Sequence, residues 1–70
     1  MQNLKSIGQN IAKLRKNRNL SQEDLSGMAN IDRSYLSEIE NGHKNFSMMT
    51  LLKIAHALKV PVEDIINTNT

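Results

Sequence analysis

The chain has 70 residues, a formal net charge of +2 and no cysteine, so we expect a single domain over residues 1–70 without disulfides or thiolate metal sites. No apolar run approaches the roughly 20 residues that a membrane span needs, and residues 1–10 lack the apolar segment of a secretion signal. These features predict a cytoplasmic protein with no membrane partner.

Charge is distributed unevenly along the chain. Residues 1–22 contain five Lys or Arg and no acidic residue, whereas residues 23–41 contain five acidic residues and one Arg. Residues 42–70 contain three Lys and two acidic residues. A basic first segment fits an anionic partner, but many helical proteins carry similar patches. Charge by itself therefore leaves the partner open.

Apolar residues recur at helical spacing, which predicts an all-α fold of five short helices. The first predicted helix covers residues 4–17, with four apolar residues on one face: Leu4, Ile7, Ile11 and Leu14. The second covers residues 22–29, because Ser21 is a good N-cap and Asp24 completes a shortened capping box. Its inward residues are predicted to be Leu25, Met28 and Ala29.

Asn30 predicts the end of the second helix, because asparagine tolerates the left-handed conformation that a tight turn requires. Asp32 then caps a third helix over residues 33–40, and the Asn-Gly pair at 41–42 ends it. Since only three residues separate these two helices, they must cross steeply. The pattern predicts a helix-turn-helix over about residues 21–41, whose second helix enters the major groove of DNA.

Ser47 predicts the start of a fourth helix over residues 48–58, and Pro61 suits the first turn of a fifth over residues 62–66. The inward residues of the fourth helix are predicted to be Leu51, Leu52, Ile54, Ala55 and Leu58. The polar tail over residues 67–70 is expected to fray.

The stretch "LSQEDLSGMANIDRSYLSEIENG" resembles the helix-turn-helix of the phage-repressor/Cro-like (XRE) transcriptional regulators. The likeness extends to "LLKIAHALKV" and "PVEDII". Within the family, "DRSYLSEIENGHKNFS" is similar to the recognition segment of the controller proteins of restriction–modification systems. The resemblance implies a five-helix domain that regulates transcription by binding an operator in double-stranded DNA as a homodimer. A contact with RNA polymerase is compatible with that role.

Four polar residues share one face of the third helix: Arg33, Ser34, Ser37 and Glu38. Arg33 lies at the amino end, where its guanidinium could donate two hydrogen bonds to guanine O6 and N7. Glu38 could accept from a cytosine amino group, or it could hold Arg33 in its working rotamer. The alternative for all four is simple solvation of a helix surface. In the context of the helix-turn-helix we predict that they read bases.

Helix amino termini bind phosphates well because their free N–H groups point outward. By the resemblance, the phosphate contacts come from the start of the second helix and the loop after the third: Ser21, Gln22, Asn41, His43, Lys44, Asn45 and Ser47. The hydroxyl of Tyr35 is a further candidate. Simple solvation of the loop is the alternative for Lys44 and Asn45.

The resemblance also pairs Arg15 with Glu40 in an ion pair between the first and third helices, in preference to a phosphate contact by Arg15. A homodimer on a pseudo-palindromic operator is expected, because one short helix reads too few base pairs. Its interface is predicted around the fifth helix, which has more apolar residues than it needs to bury: Val60, Val62, Ile65 and Ile66.

No catalytic residue, metal site or cofactor is expected. His43 and His56 have no plausible third metal ligand, and the serines near them form no recognisable nucleophile–base arrangement. Two other roles stay open. One is an antitoxin that represses its own operon, and the other is a protein-interaction module that antagonises another repressor through the fourth and fifth helices.

Overall fold

The computed structural model describes residues 3–67, which form five helices and no strand. The helices are α1 (Leu4–Asn17), α2 (Gln22–Ala29), α3 (Arg33–Glu40), α4 (Met48–Leu58) and α5 (Val62–Ile66). The predicted all-α fold is confirmed. The expected fraying of the tail falls, apart from Asn67, on residues outside the described range. Within that range, no helix combines the length and the apolar character that crossing a membrane requires.

The helix ends are fixed by local hydrogen bonds. Ser21 Oγ accepts from the backbone N–H of Asp24 at 2.9 Å, and Asp24 Oδ2 accepts from the backbone N–H of Ser21 at 3.0 Å, so the shortened capping box is present. The backbone N–H of Ser21, and then its hydroxyl, hold the pKa of Asp24 below its usual value. Asn30 adopts the predicted left-handed conformation, with φ 57° and ψ 47°. Lys59 ends α4 in the same conformation, which its residue type does not predict.

The core receives side chains from all five helices. Its fully buried large residues are Ile11, Leu25, Leu36, Ile39, Ile54, Leu58 and Ile65. α1 packs against α3 and α5, while α2 packs against α3 and α4. Burial of one such side chain contributes about 1.5–3 kcal/mol relative to its exposure. This shared cluster therefore fixes the positions of α2 and α3 relative to the other helices.

The prediction of an inward orientation is wrong for two residues. Met28 is 52% exposed and Leu52 is 45% exposed. In α2 the core is reached by Leu25 and Ala29, four residues apart, and Met28 is rotated by about 100° from Ala29 around the helix axis. In α4 the buried neighbour Leu51 occupies the inward position, which leaves Leu52 on the flank.

The side chain of Asn10 in α1 is hydrogen-bonded to the backbone of α5. Asn10 Nδ2 donates to the carbonyl oxygen of Asp64 at 2.6 Å and to that of Ile65 at 2.8 Å. Both carbonyls lie in the last turn of α5, where backbone acceptors have no partner inside the helix. The local sequence around Asn10 does not predict this contact, since its partners are 54 and 55 residues away.

α1 also lies very close to the carboxyl end of α3. A Cβ atom at Gly8 would overlap the carbonyl oxygen of Ile39 and would lie 2.8 Å from that of Glu40. Only a residue without a side chain permits this approach of the two helices. Gly27 differs, because a Cβ atom there would meet only open space.

We predict that Gly27→Ala raises the free energy of unfolding by about 1 kcal/mol, because alanine loses less conformational entropy than glycine in a helix interior. Gly8→Ala serves as the opposite case and should lower the melting temperature, since its methyl group meets the backbone of α3. Thermal unfolding followed by circular dichroism measures both. Equal shifts of the same sign in the two variants would contradict the close approach of α1 to α3.

Candidate nucleic-acid interface

The turn between α2 and α3 forms a tight, hydrogen-bonded corner. With Asn30 in the left-handed conformation, the backbone N–H of Ile31 donates to the carbonyl oxygen of Ser26 at 3.0 Å. Ser26 and Ala29 are both buried. The hydroxyl of Ser26 donates to the carbonyl oxygen of Glu23 at 3.1 Å, so its burial leaves no polar group unsatisfied. The corner therefore fixes the direction in which α3 leaves α2.

α3 divides its residues between the core and the solvent. Leu36 and Ile39 face inward and are fully buried. The outward face consists of Arg33, Ser34, Ser37 and Glu38, of which Ser37 is half-buried and the others are exposed. The guanidinium of Arg33 makes no hydrogen bond or ion pair with any residue between 3 and 67. All five N–H donors of its guanidinium therefore stay available to a ligand.

Glu38 lies beside the loop that follows α3. Its Oε1 is 3.9 Å from Lys44 Nζ, and both side chains are about half exposed. The structure therefore does not contain the expected contact between Glu38 and Arg33. An exposed pair of this kind contributes little stability. The carboxylate thus remains accessible as an acceptor.

The residues predicted to contact phosphates lie near both ends of this face. Ser21, Asn41, His43, Lys44, Asn45 and Ser47 are exposed, whereas Gln22 and Tyr35 are half-buried. Three of their hydroxyls have partners within the chain. Ser21 Oγ and Ser47 Oγ cap α2 and α4, and Tyr35 Oη donates to the carbonyl oxygen of Asn45 at 3.4 Å. These hydrogen bonds stabilise the two helix starts and the loop after α3. The phosphate contacts of the same hydroxyls remain predictions.

A buried ion pair lies behind α3. Arg15 is 8% exposed and Glu40 is 7% exposed. Arg15 Nε donates to Glu40 Oε2 at 2.8 Å, and Arg15 Nη2 donates to Glu40 Oε1 at 3.1 Å. Arg15 Nη1 also donates to the carbonyl oxygen of Leu20 at 2.7 Å. The pair thus joins α1, the α1–α2 connection and the last turn of α3.

Gln22 completes this network in a way that the sequence does not predict. Its Nε2 donates to Glu40 Oε1 at 3.0 Å, so the carboxylate of Glu40 accepts from three nitrogen atoms. The resemblance assigned Gln22 only to phosphate. The missed partner lies 18 residues away, beyond the reach of any local pattern.

The predicted dimer surface needs one correction. Ile65 has no exposed surface, because it belongs to the core of its own chain, so its assignment to a dimer interface is wrong. Val60, Val62 and Ile66 are half-buried and pack against the edge of that core. They keep some apolar surface for a partner.

The chain is similar to several known regulators. The family described as a helix-turn-helix domain matches residues 8–70. The immunity repressor protein of Bacillus phage phi105 is 42% identical over 65 residues, which are 93% of this chain but 45% of the repressor, so the chain spans less than half of that relative. The control protein C.MunI of Mycoplasma sp is 38% identical over 60 residues, which are 84% of this chain and 81% of that protein. The crystal structure of the restriction-modification controller protein C.AhdI from Aeromonas hydrophila matches with a TM-score of 0.89 and 36% identity, and the match covers 90% of this chain and 96% of that one.

We predict that Arg15→Ala lowers the free energy of unfolding by about 3–5 kcal/mol, because Glu40 would be left buried without its counter-charge. Arg18→Ala removes the same charge from an exposed position at the end of α1 and should leave stability nearly unchanged. Chemical denaturation of the two variants measures the difference. A normal midpoint for Arg15→Ala would show that the pair contributes nothing to the fold.

Proposed function

Because the chain belongs to the helix-turn-helix family and is a DNA-binding transcriptional regulator, we propose that α3 reads the bases of a specific operator in the major groove. The observation that carries this proposal is the guanidinium of Arg33, which is exposed at the amino end of α3 and has no partner within residues 3–67. A long charged side chain at this place can reach a base edge without first breaking a contact of its own.

The outward face of α3 offers chemistry suited to a G·C pair and its neighbours. Arg33 would donate two parallel hydrogen bonds to guanine O6 and N7, a contact worth about 1–3 kcal/mol of discrimination. Glu38 would accept from a cytosine amino group, after its weak pair with Lys44 opens. The short hydroxyls of Ser34 and Ser37 would contact bases at closer range.

The flanking polar residues would hold α3 in register. Phosphate contacts are proposed for Ser21, Gln22, Tyr35, Asn41, His43, Lys44, Asn45 and Ser47. α2 and α4 both present free backbone N–H groups at their amino ends, where phosphates bind favourably. Such contacts carry no sequence information directly, but they fix the position and orientation of the helix on the duplex.

We propose that the regulator binds as a homodimer. α3 has eight residues, and a helix of this length contacts only a few base pairs. Two copies related by a twofold axis would double the site, on a pseudo-palindrome with half-sites about one helical turn apart. The half-buried apolar residues Val60, Val62 and Ile66 support an interface around α5.

We further propose a role in the control of restriction–modification genes, supported by the similarity to C.MunI and C.AhdI. The regulator would act in the cytoplasm, where its operator lies, and would contact RNA polymerase from that operator. Since the similar proteins are regulators, we propose that the chain has no enzymatic activity.

Arg33→Ala is predicted to lower the affinity for a duplex selected from a random pool by about tenfold or more per half-site, because the bidentate contact to guanine is lost. Fluorescence anisotropy with the selected duplex and with an unrelated duplex measures affinity and preference together. Arg18→Ala is the matched control for the loss of one positive charge and should keep the preference. An unchanged preference in Arg33→Ala would refute base reading by this residue. A wild-type chain that binds no duplex yet remains active in cells would point instead to the protein-interaction module.

Sedimentation velocity at tens of micromolar is predicted to show a dimer for the wild-type chain. Ile66→Lys should shift the distribution toward the monomer, because a charge would replace apolar surface at the proposed interface. Glu63→Lys places the same side chain on the exposed side of α5 and should leave the dimer intact. Circular dichroism of both variants checks whether they fold. A monomeric wild-type chain would contradict the interface around α5.

A further inference from the structure

The loop that follows α3 begins with a glycine whose backbone conformation and surroundings both disfavour a side chain. Gly42 adopts φ 75°, in the left-handed region that glycine occupies without steric cost. A Cβ atom at this position would lie 2.7 Å from Lys5 Cα and 3.1 Å from the backbone nitrogen of Lys5. Both partners are main-chain atoms of the first turn of α1. Gly42 therefore lets the start of the loop lie directly on the backbone of α1.

The same face of α1 meets the end of α3 at a second point. Gly8 follows Lys5 by three residues, so the two lie on one side of the helix. The built Cβ of Gly8 meets the backbone carbonyls of Ile39 and Glu40, just before the loop begins. The first two turns of α1 thus form a backbone surface that supports both the last turn of α3 and the first residue of the loop.

Two backbone hydrogen bonds fix the direction in which the loop leaves α3. The N–H of Gly42 donates to the carbonyl oxygen of Ile39 at 3.0 Å, and the N–H of His43 donates to that of Glu38 at 2.9 Å. This pair of bonds is the Schellman motif, which requires a residue in the left-handed conformation after the helix. The start of the loop is therefore held by its own main chain as well as by α1.

The far end of the loop is held by side chains. Tyr35 Oη donates to the carbonyl oxygen of Asn45 at 3.4 Å, and Phe46 packs against the edge of the core. Between the two held ends lies Lys44, the one Lys or Arg from residue 42 to residue 47, with its side chain half exposed. The overlap that a side chain at Gly42 would cause cannot be relieved by a change of rotamer, because its partner atoms belong to the backbone of a helix.

We propose that Gly42 is a positioning residue for DNA binding, which places Lys44 within reach of the duplex by letting the loop rest on the backbone of α1. The inference rests on the proposed function, in which Lys44 contacts a phosphate. A side chain at position 42 would push the loop away from α1, and Lys44 would move with it, because only one residue separates the two. The loss would affect every duplex alike, since a phosphate contact carries no sequence information directly.

The test compares Gly42→Ala, Lys44→Gln and the double variant Gly42→Ala/Lys44→Gln. Anisotropy over a range of salt concentrations measures binding to a duplex selected from a random pool and to an unrelated duplex. Each single substitution should lower the affinity for both duplexes by about tenfold and keep the preference between them. Each should also make the slope of log affinity against log salt shallower by about 1. The double variant should have the slope of the single variants, because Gly42 acts through Lys44.

Two further variants separate positioning from stability. Asn10→Ala removes the hydrogen bonds between α1 and α5, far along the chain from the loop, and should keep the wild-type slope. Gly42→Asn tolerates the left-handed conformation but retains the overlap with Lys5, so it should bind like Gly42→Ala. Melting curves check whether each variant is folded at the temperature of the binding measurement.

The outcomes distinguish this inference from the function on which it rests. A shallower slope in Lys44→Gln together with an unchanged slope in Gly42→Ala and Gly42→Asn would overturn the positioning role and leave the phosphate contact intact. A double variant whose slope is shallower by about 2 would also overturn it, since the two residues would then act independently. A Gly42→Asn chain that does not fold would assign the glycine to the fold alone. An unchanged slope in Lys44→Gln would remove the loop contact from the proposed function, and this inference with it.

Discussion

The buried contact between Arg15 and Glu40 is the interaction on which the arrangement of the first three helices depends. It joins residues 25 positions apart and leaves none of its buried nitrogen or oxygen atoms without a partner, because the carbonyl oxygen of Leu20 accepts from Arg15 and the amide of Gln22 donates to Glu40. A buried charge is tolerable only when it is paired and hydrogen-bonded in this way. Because Glu40 is the last residue of α3, the network fixes the far end of the helix, while the tight corner after α2 fixes its beginning.

One side of the short helix α3 packs in the core and stabilises the fold, and the opposite side carries the residues of the proposed function. Leu36 and Ile39 anchor it in the core, and this anchoring lets the residues of its outward face remain polar. Eight residues cannot form a stable helix alone in water, so α3 exists because the core and the ion pair hold it. The guanidinium of Arg33 is thereby presented on a fixed backbone at no cost to the packing of the chain.

The acidic middle of the sequence looks unfavourable for a protein that binds DNA, but the fold uses most of these charges internally. Asp24 and Asp32 accept backbone N–H groups as helix caps, and Glu40 is neutralised by Arg15. Glu38 faces Lys44. The formal charge of this segment therefore overstates the negative charge that its surface presents, since Asp24, Asp32 and Glu40 each accept a hydrogen bond from a nearby donor.

The sequence by itself determined the five helices, their ends and the helix-turn-helix, because periodicity and capping act between residues only three or four positions apart. The outward face of α3, including Arg33, followed from the same local rule. Only the tertiary structure decided that Met28 is exposed, that Ile65 belongs to the core and that Gln22 binds Glu40. These outcomes depend on how whole helices pack together. Contacts between residues 18 or more positions apart are set by that packing, and no local pattern encodes them.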